Sequence, residues 1–181
     1  MLSPPPILVA VALAVAWVSS PTRAMAVVWG TIAALFASVL PYALILRGVR
    51  RGRLSDRNIS LRKQRIRFGG VAIASILFGL AVLAALDAPA EMVALLASIA
   101  VGVAGGWVVT LWWKISVHAA IAAGAATVLT LVFGPALLAV WPLVALIAWS
   151  RVQVGDHTPA QVLAGVALGI VVNATVFPLL R

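Results

Sequence analysis

Two imidazoles, His118 and His157, stand among the few polar groups of a chain of 181 residues that is 64% hydrophobic and only 9% charged. An ionisable side chain kept at or within a bilayer is costly, so each one is a functional candidate. Three clusters qualify: Arg57 to Arg67; Lys114-Ile-Ser-Val-His118; and Ser150-Arg151 followed by Asp156-His157 and Gln161. Lys114 and His118 are four residues apart, as are His157 and Gln161, so on helices each pair would share a face. Converging arginine, lysine and serine groups with two imidazoles supply what phosphoryl transfer needs without a metal: donors for the oxygens, a nucleophile, and an acid for the leaving group. Taken singly the same residues have plainer readings. A lone histidine can be a packed, hydrogen-bonded residue, and Arg151 a snorkelling anchor.

The elements that must position these groups are transmembrane helices. Charged residues make up roughly 25% of an ordinary soluble domain, far more than here, and about 20 mainly apolar residues cross the hydrocarbon core. Ala24 to Leu46, Phe68 to Leu86, Met92 to Trp113 and Thr158 to Leu180 each read as one span. The stretch before Arg23 is shorter. It lacks the basic segment that precedes a secretory signal's apolar core, and is expected to be retained. Ala119 to Trp149 is too long for one helix, and Gly134-Pro135 at its middle predicts a tight hairpin of two short ones. The fold class is therefore an all-α integral membrane protein of six to seven helices, six if the first segment only lies in the interface. One domain is expected over 1–181: an N-terminal helical hairpin (1–46), a basic loop (47–67) and the remaining helices (68–181). Glycine and alanine runs at Gly102 to Gly106 and Ala119 to Ala126 predict close helix packing.

Formal net charge is +9, and nine of the thirteen Lys and Arg lie between Arg47 and Arg67. Charge so confined argues against a nucleic-acid partner. A cytoplasmic loop obeying the positive-inside rule accounts for Arg47, Arg50, Arg51 and Arg53. Counting spans puts this loop, Lys114 to His118 and Ser150 to His157 on one face, and Arg23, Asp87, Glu91 and Arg181 on the other. Eleven basic residues then oppose two, so the motif-bearing face is expected to be cytoplasmic. Trp107, Trp112 and Trp113 before Lys114, and Trp149 before Ser150, predict that both segments lie at headgroup level. No cysteine is present, which excludes disulfides, thiolate metal sites and cysteine nucleophiles. With only Asp56 and Asp156 on the motif face, a magnesium site built from several oxygens is not expected, and charge stabilisation falls to arginine and lysine.

From about Leu54 to the C-terminus the chain resembles the type 2 phosphatidic acid phosphatases (the PAP2 superfamily), small bacterial membrane lipid-phosphate phosphatases among them. SRVQVGDH (150–157) matches the family's Ser-Arg, five residues, His pattern. WKISVHAA (113–120) is similar to its second motif, a Ser-Gly-His core, with Val117 in place of the glycine. The first motif, a Lys followed after six residues by Arg-Pro, is absent, and LSDRNISLRKQR (54–65) resembles its degenerate form. Gln161 stands where many members carry an aspartate.

The resemblance implies that His157 attacks phosphorus and becomes phosphohistidine, that protonated His118 donates to the leaving oxygen, and that water then cleaves the intermediate. It implies phosphate binding by Arg151, Lys114, Ser116, Ser150, Arg62 and Arg65, with Lys63 and Asn58 as lesser candidates, and orientation of His157 by Gln161. That glutamine would fix the tautomer without supplying charge, giving a differently tuned enzyme. No cofactor or metal is implied. The 31 residues of Ala119 to Trp149 provide roughly 23 Å per crossing, short of the roughly 30 Å core. Extending these helices through Lys114 to His118 and Ser150-Arg151 would set the chemistry in the headgroup layer, where a lipid substrate presents its phosphate. Expected substrates are a phosphatidate, a phosphatidylglycerophosphate or a polyprenyl-linked sugar phosphate in a bacterial-type inner membrane. A polyprenyl-diphosphate phosphatase would need the external face instead. The rival from another class is a small transporter or channel component with the histidines as a proton relay. Oligomeric state is unreadable, because packing glycines serve within or between subunits.

Overall fold

The computed structural model describes residues 4–57, 59 and 61–181, and among these the chain forms seven helices and no strand. They are α1 (Pro4–Ser19), α2 (Arg23–Arg50), α3 (Arg62–Ala85), α4 (Ala90–Thr110), α5 (Val117–Phe133), α6 (Pro135–Gln153) and α7 (Pro159–Leu180). Five are long and apolar enough to cross a membrane, while α1 and α5 are shorter apolar helices. Large apolar side chains such as Phe78, Leu146, Leu163 and Val171 face outward, which suits hydrocarbon as the surrounding solvent and makes this a multi-pass membrane protein.

The first segment does not lie aside. Val11, Ala12, Val15 and Ala16 of α1 are buried in the same core as Ala33 of α2 and Leu95 and Leu96 of α4, so the bundle has seven helices. The break at Gly134-Pro135 falls where the sequence placed it. Gly134 adopts φ +86°, a conformation that disfavours a side chain, and Pro135 opens α6 as a 3-10 turn (Pro135–Val140) before the α-helix over Trp141–Gln153.

Helix α2 holds a feature that hydropathy does not show. Over Leu35–Val39 it widens to a π-turn, with the Leu40 N–H bonded to the Leu35 carbonyl. Pro41 lies just downstream and has no N–H for a regular bond, so the turn relaxes around it. The rearranged turn is tied to its neighbours: Ser75 of α3 donates to the Phe36 carbonyl (2.8 Å), and Ser38 donates to the Pro5 carbonyl of α1 (3.0 Å).

The most extensive packing joins α5 to α7, which run parallel. A Cβ on Gly165 would lie 2.5 Å from the Ser116 carbonyl oxygen, and one on Gly169 would lie 2.2 Å from that of Ala120. The two backbones therefore touch along a small-residue seam, as expected for Ala119 to Ala126. The seam has a functional consequence. It sets the N-terminal ends of α5 and α7, which carry the two histidines, side by side.

Candidate active site

Three segments converge on one end of the bundle. Arg65 at the start of α3 donates to the Ile115 carbonyl (2.9 Å), and Arg62 to the Thr110 carbonyl at the end of α4 (2.8 Å). Lys114 donates through Nζ to the Asp156 carbonyl, and the Ser116 N–H to the Gln161 carbonyl (3.2 Å). Arg181, at the opposite end of α7, bonds the Leu131 carbonyl near the end of α5. The partition of basic residues between two ends thus follows the connectivity expected from the spans.

Both histidines sit next to helix starts, but neither pair lies on one helix face as the four-residue spacing suggested. Ser116 caps α5, its hydroxyl accepting from the Ala119 N–H, so Lys114 belongs to the preceding loop. Thr158 caps α7 in a capping box with Gln161, so His157 precedes that helix. Gln161 reaches it by turning back. Its Oε1 lies 3.2 Å from Nδ1 of His157 and also accepts the Thr158 N–H at 3.2 Å. An atom that accepts a backbone N–H is the amide oxygen, so Nδ1 must be the protonated ring nitrogen. The Nε2 lone pair is left free.

His157 is 8% exposed. Burial, and then the Lys114 ammonium, push its imidazole down to about 4, against the raising effect of the Gln161 hydrogen bond. The ring is therefore neutral at physiological pH. His118 lies within Coulombic reach of His157, Arg151, Asp156 and Arg65, which makes one cluster of the groups from α3, α5 and the α6–α7 loop.

That loop owes its path to Gly155, at φ +72°, which ends α6 and turns the chain so that the His157 N–H bonds the Arg151 carbonyl (3.2 Å). Arg151 is 2% exposed and pairs with the Asp156 carboxylate at 3.4 Å. Asp156 thus holds Arg151 with its side chain and Lys114 with its carbonyl. Its separation of five residues from Arg151, across a glycine turn, was the available signal.

Other expected phosphate ligands are placed differently. Ser116 is completely buried as a cap. Ser150 donates to the Ile147 carbonyl (2.8 Å) and accepts from Arg151 Nε (3.3 Å), so it steadies the arginine. Arg62 is engaged in the tie from α3 to α4, and Lys114 to Ser116 do not extend α5. Asn58 lies outside the described residues. Arg65 does face the site, lining the same cavity as His118, and Arg57 of the same basic cluster joins it there. Trp112, Trp113 and Trp149 are exposed at this end, as a headgroup belt requires. Trp107 instead turns inward, donating to the Ile66 carbonyl (2.8 Å) beside Gly69. Among the described residues no three His, Asp or Glu side chains are grouped to hold a metal.

Residues 111–181, which contain both histidines, Lys114 and Arg151, match the family model of the PAP2 superfamily. Over these residues the chain is similar to that superfamily. No curated protein and no solved structure matches it. The similarity points to phosphatase chemistry on phosphate esters, and the matched segment covers the loop before α5, the hairpin of α5 and α6, and α7. The basic loop and α1 to α4 lie outside the match. Arg57 and Arg65 come from that unmatched part, so the candidate site is completed by residues the family model does not cover.

Proposed function

We propose that this protein hydrolyses the phosphate monoester of a membrane lipid through a phosphohistidine on His157, without a metal. The observation that carries the reading is the Gln161 amide oxygen 3.2 Å from His157 Nδ1, which turns Nε2 to the role of acceptor within the same cationic cluster as His118. In the first step Nε2 attacks phosphorus in line and the bond to the lipid oxygen breaks, while His118 gives its proton to that oxygen. In the second, His118 takes a proton from water as the water oxygen attacks phosphorus. The P–N bond then breaks and inorganic phosphate leaves.

Arg151, Lys114, Arg65 and Arg57 supply positive charge for the equatorial oxygens, and preorganised charge of this kind is usually the largest catalytic contribution. Gln161 positions His157. The lipid assignment is supported by a cluster at helix ends, ringed by exposed tryptophans, where a bilayer lipid carries its phosphate. The excess of eleven basic residues over two at this end favours the cytoplasmic face of a cell membrane, and so lipid phosphates made there. Purified protein should release inorganic phosphate from a lipid monophosphate in EDTA, and His157→Ala should abolish the release. Hydrolysis that survives the substitution, or that requires magnesium, refutes the mechanism.

A further inference from the structure

A cavity of about 270 Å³ starts at the cluster and runs into the bundle between α1, α2, α3, α4, α5 and α7. Arg57, Arg65 and His118 stand at its polar end, and Ile76, Leu95 and Val128 line its far end. His118 and Val128 are ten residues apart on one helix, so the cavity descends about 15 Å, half of the roughly 30 Å core. Its walls are overwhelmingly apolar. Two features keep it open: the π-turn, which brings Ala37 and Ser38 to the wall, and Gly102, where an added Cβ would meet only Val172, at 3.9 Å.

The cavity is lined by His118 but not by His157. In an in-line displacement the leaving group lies opposite the nucleophile, and His118 is the residue that protonates it. The apolar slot therefore opens on the leaving-group side, where the lipid part of the substrate must lie. At about 30 Å³ for a group the size of water, 270 Å³ holds roughly nine such groups, enough for part of one hydrocarbon chain and not for two chains.

Resting on the proposed lipid phosphatase activity, we infer that this cavity takes a single hydrocarbon chain of the substrate, over roughly its first nine carbons, down to a floor at mid-membrane. A second chain, where the lipid has one, stays in the bilayer. Gly102 then sets the usable depth. It lies eight residues before Thr110, about 12 Å below the end of α4.

The test compares n-alkyl phosphates from four to fourteen carbons on detergent-solubilised wild-type protein and on Gly102→Leu, with Ala72→Leu on the facing α3 wall as a second variant. Partition into micelles depends on the substrate and cancels in the wild-type to variant ratio. The ratio of kcat/KM is expected near 1 for the shortest chains. It should then rise by about fourfold for each methylene the variant excludes, to the order of tenfold or more, and level off near nine or ten carbons. Ratios that stay flat with chain length in both variants, while alkyl phosphates are still hydrolysed, overturn the slot and leave the phosphatase reading standing. The same flat result is expected if a resident bilayer lipid, and not the substrate, fills the cavity. Hydrolysis confined to water-soluble phosphate esters overturns the lipid reading itself.

Discussion

Replacing Gln161 by glutamate isolates what holds the nucleophile. Wild-type His157 is kept near 4 by burial and Lys114, with only an amide oxygen at Nδ1 to favour the charged ring. A carboxylate at that position would put a unit charge about 4 Å from the imidazolium centre. At an effective dielectric constant near 20 the attraction is about 4 kcal/mol, or about three pKa units at 1.36 kcal/mol each. The His157 imidazole would rise from about 4 to as high as about 7. The sign follows from the chemistry: only the neutral ring attacks phosphorus, so activity falls as pH drops through this pKa. A profile of kcat/KM between pH 3 and 9 reports the free enzyme, and ionisation of the substrate's phosphate is common to both proteins. At pH 5.5 Gln161→Glu should lose more than tenfold relative to pH 8, beyond any change seen in wild type. Gln161 also belongs to the capping box of α7, so Thr158→Ala serves as control. It weakens the cap by about 1 kcal/mol without touching the ring. An acidic limb that moves by less than one unit in Gln161→Glu, or that moves equally in Thr158→Ala, refutes the orientation and tautomer assigned to His157.

Two further outcomes follow from packing and charge. Gly169→Ala should lower stability by about 1–3 kcal/mol, because the added Cβ meets backbone atoms of Ala120 and Gly124 at 2.2 and 2.9 Å and the helices must part; Gly102→Ala, with no atom nearer than 3.9 Å, should be neutral or stabilising in the same thermal unfolding assay. Asp156→Asn should raise KM for the phosphate substrate and cost about 1–2 kcal/mol, since Arg151 loses its carboxylate while buried, and unchanged values of both would refute its holding role.

Much of the fold was legible because a bilayer imposes a simple rule. Apolar runs must be helices, and charges must collect at their ends. Gly134-Pro135 was readable for the same kind of reason, since it combines a residue that permits positive φ with one that cannot donate. Illegible were features that depend on neighbours. The π-turn before Pro41 needs Ser75 and Ser38 to satisfy it, and the inward turn of Trp107 needs the space left by Gly69. The histidine pairs show a different limit. Spacing of four residues suggested shared helix faces, although Ser116 and the Thr158 and Gln161 pair were already capping signals that place helix starts after Lys114 and His157. The signals competed, and the caps prevailed: Ser116 and Thr158 accept from N–H groups in the first turns of α5 and α7.

The two histidines come together because of residues with no chemistry of their own. His118 and His157 are 39 positions apart, separated by a hairpin that goes to the far side of the bundle and returns. Close approach of α5 and α7 follows from Gly165 and Gly169 lying against the Ser116 and Ala120 carbonyls, contacts that no side chain larger than hydrogen permits at that distance. Parallel packing requires the intervening α6 to span the same depth as α5, so that His157 returns to the level of Ser116. The Ser116 N–H then meets the Gln161 carbonyl, linking the loop before α5 to the first turn of α7. Gln161 thus joins the two halves twice, by its backbone to the His118 segment and by its side chain to His157. A change that lengthens α6 by one residue would rotate Arg151 by about 100° about the helix and lift the following loop by about 1.5 Å. That would move His157 relative to His118 while leaving hydropathy unchanged, so the catalytic pairing proposed here depends on the length of the hairpin as much as on the residues it delivers.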